Sequence, residues 1–508
     1  MNFLSVLFLL YLAVVAALTV GMHYVTFIFG TAFFAVSALV LWVSCIKPRG
    51  LLPDKANWIY RDVPGRGFPL LYFVVIAGFS VLYWLAYFPG SFNLDAYGQW
   101  MQAHHSLQYN DWHPLTSTLI IQFIVSIVDR FEFYIGFQIL VFSVAVAYLL
   151  STLQAQKINP MLLTCVAIFI GVNPAIGLNT ISLTKDVQFT IVLIFISSCA
   201  IKTIFSNGKW LDNYLHLLVL GALLGAAFLI KHNGAMYVLP FFLILLITYK
   251  PHILKVVLSG LLAAAIVLTI KFPISKMLNT EPHENVVGEA IGIPMAIMAN
   301  ALVNDADNIP ADVHVFLNEI ASDDEWQSHY YVGEWDSCKW EFGGTELLRD
   351  VSAVTVLRYA WETICSCPQA SYESIRANTG IVWELLRTYP HWVPDAYIEP
   401  NEYEIESRPV IPLQEAFEFV KTVTLIPVLS IIFWNTGFHI AAILIVFCLS
   451  YRRIRAGKIL LVIPLLVFEL GTMLLLAGPN QRYFYCNAVL FLPIILSLLT
   501  RTDDEVPT

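Results

Sequence analysis

The run from Phe133 to Leu153 reads FYIGFQILVFSVAVAYLLSTL and carries no charge. As an α-helix at 1.5 Å per residue it is about 30 Å long, the thickness of a bilayer's hydrocarbon core. Hydrocarbon cannot satisfy open backbone N–H and C=O groups, so such a run crosses only as a helix. Similar blocks fall on either side of it, near 4–21, 25–46, 68–88, 160–176, 186–204, 212–230, 235–249, 254–273, 437–451, 459–477 and 484–500. Two more, 114–129 and 416–434, are ambiguous. The chain is 58% hydrophobic and 13% charged, against about 25% charged in a soluble domain. The expected fold is an all-α polytopic membrane protein with about twelve transmembrane helices. The N-terminus lacks a basic n-region and a small-residue cleavage site, so its first block reads as a retained helix.

Basic residues set the orientation. Lys47, Arg49, Lys55, Arg61 and Arg66 place the loop 47–67 in the cytoplasm, and Arg452, Arg453, Arg455 and Lys458 place a second loop there. The short loops with Lys157, with Lys202 and Lys209, and with Lys250 and Lys255 fit the same side if 114–129 and 416–434 lie along the outer surface instead of crossing. Three regions result: 1–273, a transmembrane region whose outer loop 89–132 carries surface helices; 274–415, an α-rich mixed extracytoplasmic domain; and 416–508, a second transmembrane region. The middle region holds about 24 of the 37 acidic residues, which a solvated surface explains. The net charge of −9 thus implies no cationic partner, and no nucleic acid is expected; the lipid bilayer is. Helices are expected over 346–366 and 368–388. Cys338, Cys365 and Cys367 allow one disulfide but show no CxxC metal pattern.

Polar clusters gather at one predicted membrane level. Asn93 can cap a helix from Leu94, on which Asp95, Gln99 and Gln102 share a face at i, i+4 and i+7, with Tyr97, Trp100, Met101 and His104 on the other. There Asp95 can serve as a general base or hold a divalent cation, or act as a second cap. Thr184-Lys185-Asp186 opens a helix just after Asn173-Pro174, as function or as an interface marker. Lys231-His232-Asn233-Gly234 separates two apolar blocks, where a lysine can simply snorkel. Gly478-Pro479-Asn480-Gln481-Arg482-Tyr483 precedes the last block. Arg482 lies there against the positive-inside rule, so a local anion, or an acidic side chain such as Glu469, is its expected partner.

With these residues the chain resembles the GT-C superfamily of multi-spanning glycosyltransferases, which take sugars from lipid phosphates. The likeness runs through most of the chain from about residue 68. Asp95 with His113-Pro114 matches the first outer loop, Asp186 the second acidic residue, Lys231 to Gly234 an outer turn, and Pro479, Arg482 and Tyr483 the late Pro-X-X-Arg-Tyr. Gly288-Glu289-Ala290-Ile291-Gly292-Ile293-Pro294 is similar to an uncharacterised bacterial branch. An Asp-X-Asp or Glu-X-Asp pair is absent from the first outer loop, which leaves metal dependence open.

The resemblance implies sugar transfer, hexosyl or related, from a polyprenyl-phosphate donor to a glycan, lipid or protein acceptor on the outer face of the cell membrane. Asp95 would be the base. Lys231, Arg482 and Lys185 would hold the donor phosphate. His113 would bind the phosphate or orient Asp95, and Asp186 would position a sugar hydroxyl or a cation. Gln99, Asp111, His232, Tyr483 and Glu289 are candidates for substrate contact. No cofactor is certain; a divalent cation held by Asp95 and Asp186 is the one candidate. Trp326, Tyr330, Tyr331, Trp335 and Trp340 could stack on sugar rings or form a core. The rival reading is a transporter or flippase for a lipid-linked or polysaccharide substrate. It calls for mid-membrane charges and paired broken helices, and the sequence shows little of either.

Overall fold

The computed structural model describes Ile59 and residues 67–282, 291–343, 348, 351–386, 393–450 and 456–500. The expected helices at 4–21 and 25–46, most of the basic loop 47–67, Glu289, and Arg452, Arg453 and Arg455 lie outside the described residues. Everything regular among the described residues is helical, apart from isolated bridges.

The first part runs α1 (Phe68–Ala86), α2 (Leu94–Ala103), α3 (Leu115–Val125), α4 (Phe131–Gln154), α5 (Pro160–Val172), α6 (Pro174–Thr180), α7 (Lys185–Phe205), α8 (Tyr214–Ile230) and α9 (Ala235–Thr248). Next comes α10 (Ile253–Thr269), which continues through a π turn, Ile270–Ile274, into Ser275–Met277. Pro273 lies in that turn; a proline brings no N–H to the ladder, so the helix widens there. Among the described residues five spans are long and apolar enough to cross a membrane: Phe68–Ala86, Phe131–Gln154, Lys185–Phe205, Lys250–Met277 and Gln481–Leu499. Two bent pairs raise the number to seven, against the twelve expected from the whole sequence. Several expected blocks form shorter helices, such as Tyr214–Ile230 and Ile459–Met473.

The bends have local causes. At α5–α6 the chain turns by 63°, because Asn173 stops the first helix and caps the second by accepting from the Ala175 N–H at 3.0 Å, with Pro174 at its start. The two ambiguous blocks also resolve. α3 has 11 residues, about half of what a crossing needs. Block 416–434 forms α17 (Ile411–Thr424) and α18 (Pro427–Phe433), bent by 104°, the shape of a broken span or a re-entrant loop rather than of one surface helix.

The middle region contains α11 (Gly292–Asn304), α12 (Ala311–Asn318), α13 (Asp323–His329), α14 (Asp336–Glu341), α15 (Ala353–Ser366) and α16 (Pro368–Trp383). It has its own core, in which Trp326 and Trp335 are fully buried beside Met295, Leu317 and Val356. Cys338, Cys365 and Cys367 are free thiols. The last part contains α19 (Thr436–Ser450), α20 (Ile459–Met473), a 3-10 turn Gln481–Phe484, and α21 (Tyr485–Leu499). The middle region is fastened to it where Trp335 N–H donates to the Ala477 carbonyl at 2.8 Å. At Gly292 a Cβ would stand 2.4 Å from the Ala477 Cα, so only glycine allows this approach.

The loop leading into α2 is clamped on both sides. Ser91 N–H donates to the Ile181 carbonyl at 2.9 Å, and Phe92 N–H to the Tyr397 carbonyl at 2.9 Å. Gly90 has φ of +122°, and a Cβ there would lie 2.6 Å from the Ile181 carbonyl oxygen. Segments from three distant parts of the chain therefore fix where α2 starts.

Candidate functional site

Asn93 accepts from the Ala96 N–H at 2.9 Å and caps α2, so Asp95 projects from the helix's first turn. It lines a cavity of about 650 Å³, together with Gly98, Gln102, His113, Trp340 and Arg482, a size that suits a small-molecule ligand. Asp95, Gly98 and Gln102 form one stripe at i, i+3 and i+7. Gln99, one step round the helix, is buried and donates to the Ser117 hydroxyl at 3.0 Å, so it holds α2 against α3 and does not touch the cavity. Trp100 is also buried, edge-on to Phe131 at 5.6 Å, rather than at a lipid interface.

Asp95 meets two partners. Its Oδ2 lies 2.8 Å from the Arg482 guanidinium, and its Oδ1 lies 3.7 Å from His113 Nε2. Burial works to raise its pKa, but Arg482, then His113 and Lys185, outweigh that and hold the carboxyl well below the usual carboxylate range. His113 Nδ1 lies 3.2 Å from the Lys185 ammonium. An ammonium has only donors, so Nδ1 accepts, and the neutral ring carries its proton on Nε2, toward Asp95. Burial and the Lys185 charge push the His113 pKa down to about 3, against the pull of Asp95; Arg482 and His232 lower it further.

Arg482 reaches the cavity from the 3-10 turn before α21. Asn480 caps that turn, accepting from the Arg482 N–H at 3.0 Å. The guanidinium donates to the Tyr483 hydroxyl at 3.3 Å and lies over that ring at 5.1 Å. Its Nε is buried with no hydrogen-bond partner among the described residues.

Lys231 and Asp186 do not line this cavity. Both are buried, with the ammonium 2.6 Å from the Asp186 carboxylate. Lys231 also donates to the Tyr483 carbonyl at 3.1 Å and sits among the rings of Phe189, Phe468 and Tyr483. Buried Glu469 lies within electrostatic reach of it, so Glu469 neighbours Lys231, while Asp95 is the carboxylate on Arg482. Asp95 and Asp186 thus each face a cationic side chain of their own, Asp95 on the cavity wall and Asp186 buried away from it. Among the described residues no group of three or more His, Cys, Asp or Glu side chains is placed to hold a metal ion.

Asp111 and His232 belong to a second, smaller cavity; His232 Nε2 stands 3.2 Å from the Trp112 carbonyl oxygen. Of the five aromatics singled out for stacking, Trp340 alone lines the large cavity. Trp326, Tyr330 and Trp335 are core, and Tyr331 is exposed elsewhere. Sequence reasoning missed Asp336, Asn179, Asp395 and Tyr397 in the wall. Asp336 holds the buried Lys339 at 2.6 Å, which lies over the Trp340 ring at 5.2 Å, and Trp340 packs on Trp112 at 5.4 Å. No local pattern marks Asp336, because its role depends on α14 meeting a loop more than 200 residues earlier.

Residues 90–341 are similar to a family of unknown function, DUF6020. That stretch includes Asp95, His113, Lys185, Asp186 and Lys231, and ends before Arg482. No curated protein matches the chain, and no solved structure matches it.

Proposed function

We propose that the chain is a membrane glycosyltransferase of GT-C-like architecture, with about a dozen crossings, that moves a sugar from a polyprenyl phosphate to an acceptor hydroxyl on the outer face. The observation that carries this reading is the Asp95–Arg482 pair on the wall of the 650 Å³ cavity. A carboxylate clamped by a guanidinium is a weak base. A donor phosphate offers Arg482 a better partner, through charge-assisted and two-pronged hydrogen bonds. Once the phosphate occupies the guanidinium, Asp95 is released and its basicity rises. Donor binding thereby arms the base.

The acceptor oxygen then attacks the anomeric carbon, and its proton passes to Asp95. The bond from that carbon to the phosphate oxygen breaks, and the phosphate leaves with the electron pair. Arg482 and Lys185 stabilise the charge that develops on it. The neutral His113, with Nε2–H directed at Asp95, orients the carboxylate. Lys231 and Asp186 support the turn that carries Arg482 from below. Trp340 offers a face for a sugar ring.

The observation favouring a transporter or flippase instead is Glu469, an acidic side chain buried within α20 near Lys231, as in a proton-coupled carrier. One experiment separates the two. The purified protein in proteoliposomes is given a panel of radiolabelled polyprenyl-phosphate sugars with outer-face acceptor extracts. Label moving from lipid to a new product supports transfer, and Asp95→Asn should stop it. Label that only crosses the bilayer, unchanged chemically, overturns the proposal.

A further inference from the structure

Two tryptophans stand in the wall of the large cavity, Trp112 and Trp340. Their ring centroids are 5.4 Å apart, with the planes at 58°. Trp340 is 58% exposed, although covering so large an apolar ring is favourable by its area alone. Trp326 and Trp335, in the same region of the fold, are fully buried. The open ring is nevertheless held in place: the buried Lys339 ammonium lies 5.2 Å from the Trp340 centroid and 5.9 Å from that of Trp112.

The polar groups beside these rings have bonding capacity left over. Asn110 Oδ1 accepts from Gln102 Nε2 at 3.0 Å and from the Trp112 N–H at 3.2 Å. These two bonds orient the amide, and its Nδ2 donates to nothing among the described residues. Asp336 Oδ1 takes the Lys339 ammonium at 2.6 Å, while Oδ2 accepts from nothing among the described residues. Both side chains line the cavity and are half-buried. The rings are therefore flanked by a donor next to Trp112 and an acceptor next to Lys339.

We propose that Trp112, Trp340, Asn110 and Asp336 form a subsite for an uncharged pyranose ring. A pyranose presents a face of C–H groups made slightly positive by the neighbouring oxygens, and the indole face carries negative π density. The hydroxyls around the sugar's rim both donate and accept, which suits Asn110 Nδ2 and Asp336 Oδ2. The charges of the wall favour a neutral ring. Asp95 pairs with Arg482, Asp336 with Lys339 and Asp395 with Lys421. A ligand carboxylate would meet Asp336 with its cation already committed, and a ligand ammonium would find the same carboxylate already paired. The subsite adjoins the Asp95–Arg482 pair from two directions. Trp112 precedes His113, which lies 3.7 Å from Asp95, and Asp336 is within electrostatic reach of Tyr483, whose hydroxyl accepts from Arg482. On the transferase reading, on which this last step rests, the sugar moved is a neutral pyranose and not a uronic acid or a free amino sugar.

The test uses the full chain in nanodiscs and saturation-transfer NMR with soluble methyl glycosides: the glucoside, galactoside, mannoside, N-acetylglucosaminide, glucuronide and glucosaminide. It needs no lipid donor and no transfer step. At least one neutral glycoside should receive saturation at the C–H protons of one ring face, and should bind about tenfold better than the glucuronide and the glucosaminide. Trp340→Ala, at an exposed side chain, should weaken that binding by about tenfold, and Trp340→Phe by less. Asp336→Asn should narrow the gap between the neutral glycoside and the glucuronide. Binding of no glycoside, a charged glycoside that binds best, or neutral binding that survives Trp340→Ala would each overturn the subsite. A glycoside bound in the expected way by a chain that transfers no label keeps the subsite and removes the transferase reading. Label transfer by a chain whose glycoside binding ignores Trp340 does the reverse.

Discussion

Two carboxylate–cation pairs, Asp95–Arg482 and Asp186–Lys231, differ in access to the large cavity. The side chains of Asp95 and Arg482 keep 32% and 20% of their exposure. Those of Asp186 and Lys231 keep 4% and 6%, with Lys231 also tied to the Tyr483 carbonyl. The first pair can exchange partners when an anion enters the cavity. The second cannot open without leaving a charge stranded among Phe189, Phe468 and Tyr483. A carboxylate paired with a cation thus lines a cavity in one place and is enclosed in the other, and burial separates the two.

The largest effect should come from breaking the buried pair. Lys231→Met leaves Asp186 unpaired and should lower stability by about 3–5 kcal/mol, read as a fall in melting temperature in detergent. Adding Asp186→Leu removes the stranded charge and should recover most of that loss. A single variant that melts like wild type would mean that Lys231 is not a support. Arg482→Gln, at the half-buried pair, should cost far less stability.

Next in size is catalysis at the half-buried pair. Asp95→Asn keeps the shape and removes the base, so transfer should drop by about 10² or more with little change in melting temperature. An Asn variant with normal turnover would remove Asp95 from the chemistry. Arg482→Lys keeps the charge and loses the two-pronged contact, so donor affinity and maximal rate should both fall by about tenfold. A change in affinity alone would assign Arg482 to ground-state binding.

The contrast between the pairs was half legible in the sequence. Asp95, Lys185 and Arg482 stood out as charged residues in polar clusters between apolar blocks, and His113 through the family resemblance. The structure brings the four together as a contact network. The partner of Lys231 was not legible. Lys231 and Arg482 looked alike, as cations at the ends of blocks. Only the packing of α7 and α20 around the α8–α9 turn shows that one is enclosed and the other faces the cavity. The apolar blocks located the helices well, but block length overstated helix length where a proline or a capping asparagine cuts the run, as at Asn173 and Pro174. Asp336 and Trp340 reach the cavity through the folding of the middle region, and no local periodicity encodes that contact.

The smallest effect expected is a pH dependence from the residue that ties the half-buried pair to Lys185. His113 has its pKa lowered to about 3, against about 6.5 in an unfolded chain. Between these values the unfolded chain binds a proton that the folded one refuses. Stability is therefore unaffected above about pH 6.5 and is lost progressively as the pH falls toward 3. At pH 5.5, one unit below the unfolded value, the loss from this residue is about 1.4 kcal/mol. Melting curves at pH 7.5 and 5.5 should show it as a fall in wild type that is reduced in His113→Asn, which cannot titrate. The buried pair supplies the contrast: breaking it should lower the melting temperature at both pH values, leaving the slope due to His113 in place. An undiminished slope in His113→Asn would show that the ring is not held neutral between Lys185 and Asp95, and the orienting role given to it in the proposed reaction would fall with it.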